Sequence, residues 1–305
     1  MDDASEALLT LGRALQAANY EFVTITPESR RRVVARRGGE LAIGRTPRDI
    51  FGWNLWFEPD ALPTSWLELL VAADACRKEG KLCRSKLRFS TFSERLFVHS
   101  CAPTEDADSV FFGPDTYRFC ALLQRFAPRA KRLVDVGCGT GAGGLTLAHT
   151  TEQLVLADIN EQALRLTRVN AALSRTEAEV VQSDVLDSVA GPIDAVVSNP
   201  PYLRDDAQRL YRDGGGSYGE ALGVRILRAA LARLEPRGTV LIYTGSAIVE
   251  GRDCFLEQAK PLLEERGARY SYFELDPDVF GEELDLLPYA SVDRLAAVAL
   301  CARVP

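Results

Sequence analysis

The sequence predicts an α/β fold: a mainly parallel, seven-stranded sheet with helices on both faces, preceded by a smaller N-terminal α+β domain. Three observations lead there. After residue 110, short apolar runs alternate with helical segments, the pattern of a sheet buried on both faces. One of these runs, "RLVDVG" (132–137), leads directly into "GCGTGAGG" (137–144) and then a helix, the order in which a parallel strand meets a ligand-binding turn. Upstream, "CAPTEDADS" (101–109) is small, acidic and proline-containing with little to bury, which marks a linker. The expected domains are therefore residues 1–108, read as substrate-recognising, and 109–305, which carry the chemistry.

The N-terminal elements follow from spacing. Leu8, Leu11, Leu15 and Ala18 recur at three- and four-residue intervals and predict an amphipathic helix over 5–18. "YEFVTI" (20–25) is strand-like, and Thr26-Pro27 has the cap and first turn of a short basic helix. Trp53, Trp56 and Phe57 in "FGWNLWFEP" are expected to pack the core of a small domain, with a stacking surface as the alternative. A second helix is expected from 64 to 76, and "KLRFST" (86–91) and "RLFVHS" (95–100) as paired strands around a polar turn. His99 is then an ordinary strand residue.

In the second part the strands are "RLVDVG", "QLVLAD", "AEVVQS", "IDAVVSN", "TVLIYT" and two later ones near 269–275 and 294–301. Helices are expected near 115–126, 143–149, 160–173, 219–233 and 252–266. Ligands of such sheets bind beyond the carboxyl ends of the strands.

Composition narrows the class. The 305 residues are 47% hydrophobic and 26% charged, ordinary for globular protein. No run of 18 apolar residues occurs and the N-terminus "MDDASEALLT" is acidic, so the chain is expected to be cytoplasmic, without a membrane segment. Seven cysteines without a CxxC pair and two histidines suggest reduced thiols and no metal. The net charge of -7 counts against broad electrostatic adhesion to nucleic acid. Two basic stretches stand out nonetheless: seven arginines against two glutamates in 28–48, and six basic residues against Glu79 in 77–88. Solvated faces of a helix and a hairpin are the favoured reading, a surface for phosphate the other.

The candidate site is built from strand ends. Gly137, Gly139 and Gly141 permit a tight turn and close approach of a ligand to the backbone. Asp158 ends the next strand, 21 residues after Gly137, where a carboxylate accepts from two ribose hydroxyls. That much is common to nicotinamide dinucleotides and S-adenosylmethionine. Asp135 beside the loop would help hold an ammonium group but repel a pyrophosphate, and Asp184 in "VVQSDVLD" is placed to accept the exocyclic amine of an adenine. The fourth strand ends in Asn199-Pro200-Pro201-Tyr202, a stiff extended exit.

In this order and spacing, "VDVGCGTGAGG", "ADIN", "QSDVLD" and "SNPPY" resemble the motif set of class I S-adenosylmethionine-dependent methyltransferases, in the branch carrying an (Asp/Asn/Ser)-Pro-Pro-(Tyr/Phe) motif. The resemblance covers residues 110–305 and implies a Rossmann-like sheet and S-adenosylmethionine as cofactor. It implies further that Asn199 and the Pro200 carbonyl accept hydrogen bonds from a planar amide or amino group of the substrate, with Tyr202 stacked on its face. "FFGPDTYRF" (111–119) and "YRDGGGSYGEALGVRIL" (211–227) are similar to segments of the release-factor glutamine methyltransferases, which brings Thr116 to the cofactor side and favours a protein glutamine as acceptor. Tyr117 stands where that family usually has a glutamate, and the first 108 residues do not resemble its helical bundle. The alternative acceptor is an adenine or guanine amine in RNA or DNA, engaged through the two basic stretches; a non-catalytic module keeping the cofactor fold is the third reading. Gly214, Gly215 and Gly216 are expected to form a mobile loop over the site.

Overall fold

A computed structural model of the chain describes residues 1–101, 106–126 and 129–305; of the expected linker, residues 102–105 lie outside the described residues. Helix α1 (Asp3–Ala17) starts where Asp2 accepts from the Ser5 amide, and its leucines 8, 11 and 15 are fully buried. Helix α2 (Pro27–Arg36) is capped by Thr26. Strands β1 (Ile43–Gly44) and β2 (Trp56–Phe57), helix α3 (Thr64–Ala72), and strands β3 (Cys76–Glu79) and β4 (Leu82–Ser85) follow, the strands forming a small sheet in the order β1-β2-β4-β3. Strands β5 (Leu87–Phe92) and β6 (Arg95–Ser100) pair separately, as expected.

One expected strand is absent. Residues 20–25 run extended beside β5 but make little of a ladder: the Phe22 carbonyl accepts from the Thr91 amide, whereas the Phe22 amide goes to the Thr91 hydroxyl and the Thr24 amide to the Tyr117 phenol. Side chains have taken the places that a partner strand's backbone would fill.

The elements of the second part are α4 (Pro114–Phe126), β7 (Ala130–Val136), α5 (Ala142–Leu147), β8 (Thr151–Asp158), α6 (Glu161–Leu173), β9 (Glu179–Gln182), β10 (Ile193–Ser198), α7 (Ala221–Arg233), β11 (Leu234–Val249), β12 (Arg252–Asp253), α8 (Cys254–Arg266), β13 (Arg269–Asp276) and β14 (Arg294–Arg303). The main path of the sheet is β13-β14-β11-β10-β7-β8-β9, seven strands, with β12 an eighth, two-residue addition to β11. From β9 to β11 all neighbours are parallel; β14 runs antiparallel between β11 and β13. Alternate residues serve opposite faces: Leu133, Leu156, Val197 and Leu241 meet α4 and α5, while Val134, Val155, Val196 and Ile242 meet α7 and α8.

Helix α6 is shared. Ala163, Leu166, Val169 and Leu173 form a stripe in the N-terminal core with the α1 leucines, while Ala171 packs in the core of the main sheet. Asn170, fully buried, accepts from the Val98 amide at 2.8 Å and donates to the carbonyls of Val98 (3.1 Å) and Thr140 (2.9 Å). It thereby fastens β6 to α6 and to the turn that follows β7. Asn170→Ala is expected to cost about 3 kcal/mol, since three buried backbone groups lose their partner, and chemical denaturation would read this as a lower midpoint with little change in slope.

Candidate active site

The centre of the site is the turn after β7. Here Gly137, Gly139 and Gly141 have φ of +66°, +56° and +76°, a region costly to residues with a Cβ. A Cβ on Gly137 or Gly139 would meet nothing within 4 Å, so those two also leave open space beside the backbone. Gly143 and Gly144 serve packing instead, seating α5 against Phe119 and Leu156.

Two carboxylates frame this turn. Asp135, fully buried on β7, accepts from the Gly144 amide at 2.7 Å, and burial pushes it up to about 7. Asp158 at the end of β8 accepts from the Gly139 amide at 2.8 Å and the Asn160 amide at 2.9 Å; burial raises it as well. Each carboxylate oxygen has two lone pairs, so both groups keep acceptor capacity toward the cavity that they line. Thr116, in the first turn of α4, lines the same cavity and accepts from the Gly113 amide at 3.3 Å.

Asn199, Pro200, Pro201 and Tyr202 leave the carboxyl end of β10 and form another wall of that cavity. Neither the Asn199 side-chain amide nor the Pro200 carbonyl hydrogen-bonds to another described residue, leaving two acceptors side by side on a stiff segment. The Tyr202 ring is buried, and its hydroxyl points away into a carboxylate. That carboxylate is Asp115, next to Thr116: it accepts from Tyr202 at 2.5 Å, from Tyr243 at 2.8 Å and from Arg118 at 3.0 Å.

Segment 203–213 covers the cavity. Its Leu210 amide donates to the Ala107 carbonyl at 3.1 Å, and Tyr211 lies parallel over Phe111 with ring centres 6.3 Å apart. Arg212 pairs with Glu283, and the Arg204 amide donates to the Tyr289 phenol.

Two expectations need correction. Asp184 is not part of the cavity wall: its carboxylate is gripped from both sides by Arg225 of α7, and both groups are substantially exposed. The 214–216 glycines are held down rather than left loose. The Gly214 amide donates to the Leu203 carbonyl at 2.8 Å, and a Cβ on Gly214 would come within 2.6 Å of the Pro201 carbonyl oxygen. Gly214 is a glycine because its backbone lies against that of the Pro-Pro-Tyr segment, whereas Gly215 and Gly216 turn with φ of +67° and +77°. The basic stretches lie on a helix face and a hairpin, as the favoured reading expected: Arg31 and Arg32 are exposed and share Glu28, Arg37 pairs with Asp49 and Lys86 with Asp74, while Arg88 is buried against the Gly52 carbonyl.

The remaining aromatic, thiol and imidazole side chains serve packing and internal bonds. Trp53 and Phe57 are buried in the N-terminal core, and Trp56 is half-buried with Arg77 and Arg84 over its ring. Cys138 is buried, which raises its thiol well above the usual range and removes it as a nucleophile. His99 is buried and stays neutral, bonded to Ser90 and to the Ser100 carbonyl. Among the described residues no three metal-ligating side chains are grouped, and no helix is long and apolar enough to cross a membrane.

The residues that sequence reasoning missed are Asp115, Tyr243 and Asn160. Each carried a faint signal: Asp115 sits inside the quoted "FFGPDTYRF", Tyr243 is the one large polar group in the apolar run "TVLIYT", and Asn160 follows Asp158 in "ADIN".

Comparison with known proteins fits this geometry. Residues 119–250 match the family described as the methyltransferase small domain. The release factor glutamine methyltransferase of Deinococcus radiodurans is 31% identical over 188 residues, 59% of this chain and 66% of that protein. The ribosomal RNA small subunit methyltransferase C of Chromohalobacter salexigens is 36% identical over 119 residues, 39% of this chain and 33% of that one. The chain thus spans less than two thirds of the length of either curated relative. Among solved structures, M. jannaschii TYW2 in complex with AdoMet superposes with a TM-score of 0.51 at 15% identity, over 74% of this chain and 88% of that one. The matched family and these relatives are methyltransferases, and a solved structure of the same fold holds AdoMet, in line with the resemblance of the sequence to S-adenosylmethionine-dependent methyltransferases.

Proposed function

We propose that this chain, whose residues 119–250 match the methyltransferase small domain, transfers a methyl group from S-adenosylmethionine to a planar nitrogen, with a glutamine side chain of a protein as the favoured acceptor. The observation that carries the reading is that two unengaged acceptors, the Asn199 side-chain oxygen and the Pro200 carbonyl, share one cavity with the glycine turn and its two carboxylates.

The residues present fit the cofactor. Open space beside Gly137 and Gly139 admits it to the backbone, Asp158 suits ribose hydroxyls, and Asp135 suits an ammonium group. When bound, S-adenosylmethionine supplies an electrophilic methyl on a sulfonium. Asn199 and Pro200 then accept the two N–H groups of the acceptor and fix its plane. An amide nitrogen is a poor nucleophile because its lone pair is delocalised; holding its protons on prearranged acceptors favours build-up of density on nitrogen without a strong base. Tyr202 supports the plane as a wall and, with its hydroxyl turned to Asp115, takes no part in proton transfer.

Charge around the acceptor end supports a protein acceptor. The flanking segments 203–213 and 276–289 hold eight Asp and Glu residues against three arginines; Asp205 and Glu283 are buried in ion pairs, while Asp206, Asp278, Glu282 and Asp285 are exposed and disfavour a phosphate backbone. The Deinococcus relative, with the longer match, points the same way. Residues 1–108 are read as the part that selects the substrate. A base amine in RNA is the second reading, supported by the ribosomal RNA relative and by Arg77 and Arg84 over Trp56. Labelled methyl transfer into cell extract, fractionated by protease and nuclease sensitivity, decides between them: protease-sensitive label supports the first, nuclease-sensitive label the second, and label in neither removes both.

Cofactor binding should depend on pH. Because the folded chain holds a proton on Asp135 up to about 7 and the unfolded chain releases it near the ordinary value, this group's contribution favours folding in acid and fades as pH rises toward 7. Pairing with an ammonium requires the ionised form. S-adenosylmethionine affinity is therefore expected to rise from about pH 6 to about pH 8 with release of a proton, measurable by calorimetry in buffers of different ionisation enthalpy; Asp135→Asn should flatten the dependence.

A further inference from the structure

We propose that Asp115 is a positioning residue for methyl transfer: its carboxylate holds the Tyr202 ring at the angle at which that ring walls the acceptor's plane, so that a side chain of the cofactor-side helix sets the geometry of the acceptor side. The inference rests on the reading of Asn199–Tyr202 as the acceptor site.

A tyrosine ring in an apolar seat retains rotation about its own axis and a tilt that neighbours must remove. Here the tilt is removed at both ends. At the hydroxyl end, one buried carboxylate oxygen receives Tyr202 at 2.5 Å. The other oxygen receives Tyr243 at 2.8 Å and Arg118 at 3.0 Å, so the carboxylate itself cannot swing. Arg118 is anchored in turn on Asp276, at 3.1 Å, at the end of β13. The chain of contacts therefore runs from Tyr202 through α4 to the sheet. On the ring face, Gly245 of β11 leaves the space that the ring occupies: a Cβ there would come within 2.5 Å of the Tyr202 Cε2. Phe280 and Tyr243 close on the ring edge-on, with centres 6.0 Å and 6.5 Å away.

Hydrophobic burial alone would seat a phenylalanine here as well as a tyrosine. The hydroxyl is used only to fasten the ring, and the fastening point is the neighbour of Thr116, whose side chain lines the cofactor end of the cavity. Asp115 thus registers one substrate against the other.

The test combines turnover with a direct view of the ring. In Asp115→Ala and in Tyr202→Phe, kcat is expected to fall about tenfold with S-adenosylmethionine affinity within about twofold. Combining both is expected to give no further loss, because they break the same link. Tyr272→Phe, which removes a phenol–carboxylate bond of the same kind outside the cavity, to Asp253 at 2.6 Å, should lower Tm but leave kcat within about twofold. In protein labelled with 13C at tyrosine ring carbons, the Tyr202 resonances should show slow ring flipping in wild type and fast averaging in D115A. Additive losses in the double variant, or a ring as ordered in D115A as in wild type, would overturn the proposal. If wild type transfers methyl to no acceptor, the proposed function fails, and the ring measurement still decides whether Asp115 holds Tyr202.

Discussion

Replacing Asn199 by alanine is expected to lower methyl transfer by a factor of about 10²–10³ while leaving S-adenosylmethionine binding within about twofold, the size seen when one prearranged partner of the reacting group is removed. The separation follows from position. Asn199 is the first residue beyond β10, and no described side chain depends on it for a hydrogen bond, so its loss leaves no orphaned partner in the fold. The Pro200 carbonyl remains and holds one of the acceptor's two protons, which is why activity should not vanish. Single-turnover transfer measured beside equilibrium cofactor binding checks the pair of expectations. A variant that lost both together would mean that the segment supports the cofactor cavity and not the acceptor.

The second large effect lies outside any residue that touches substrate. Gly219 has φ of +101°, and a Cβ there would come within 2.7 Å of the Leu203 carbonyl carbon and still closer to the backbone of Tyr202. Those neighbours are main chain and cannot rotate away. Gly219→Ala is expected to cost about 2–4 kcal/mol in stability, combining backbone strain with overpacking. It should also reduce transfer about a hundredfold, since the displaced backbone is the one that carries the Asn-Pro-Pro-Tyr acceptors. Differential scanning calorimetry and kcat, measured on the same preparation, would read both; a full-activity variant with lowered Tm would confine the glycine to a structural part.

Much of the architecture was legible because its causes are local in sequence. A strand buried on both faces needs a continuous apolar run, and each such run after residue 110 became a strand of the main sheet. The glycine turn, Asp135, Asp158 and the Asn199 segment were each legible from position relative to a strand end, and Thr116 from the resemblance alone; the fold brings the strand-end residues to one cavity because parallel strands end on the same side. What stayed illegible depends on distant partners. Asp184 is diverted by an arginine 41 residues on, across the gap between two elements whose adjacency only the sheet order creates. Residues 20–25 have strand composition, but Thr91 and Tyr117 offer side chains where a strand would need backbone. The arginines split along the same line: Glu28 three and four residues from Arg31 and Arg32 is a visible helical pairing, whereas the burial of Arg88 under Gly52 is not. The 214–216 glycines were legible as an oddity, but the reasons, two backbones lying against each other at Gly214 and positive φ at Gly215 and Gly216, need coordinates.

Helix α6 carries a consequence for how the chain can be cut and evolve. Its N-terminal end follows directly on Asp158 and Asn160 at the cavity wall, and its Ala163, Leu166, Val169 and Leu173 stripe lies in the core built by α1. A recombinant fragment starting at residue 109 would present that stripe to water, a sticky seam on an otherwise intact fold. An N-terminal segment exchanged for another would have to re-cover the same four residues before it could contribute any specificity of its own. The N-terminal part is in this sense not a module that can be swapped freely: it is obliged to be a good lid for one helix first, and only its remaining surface is free to change partners.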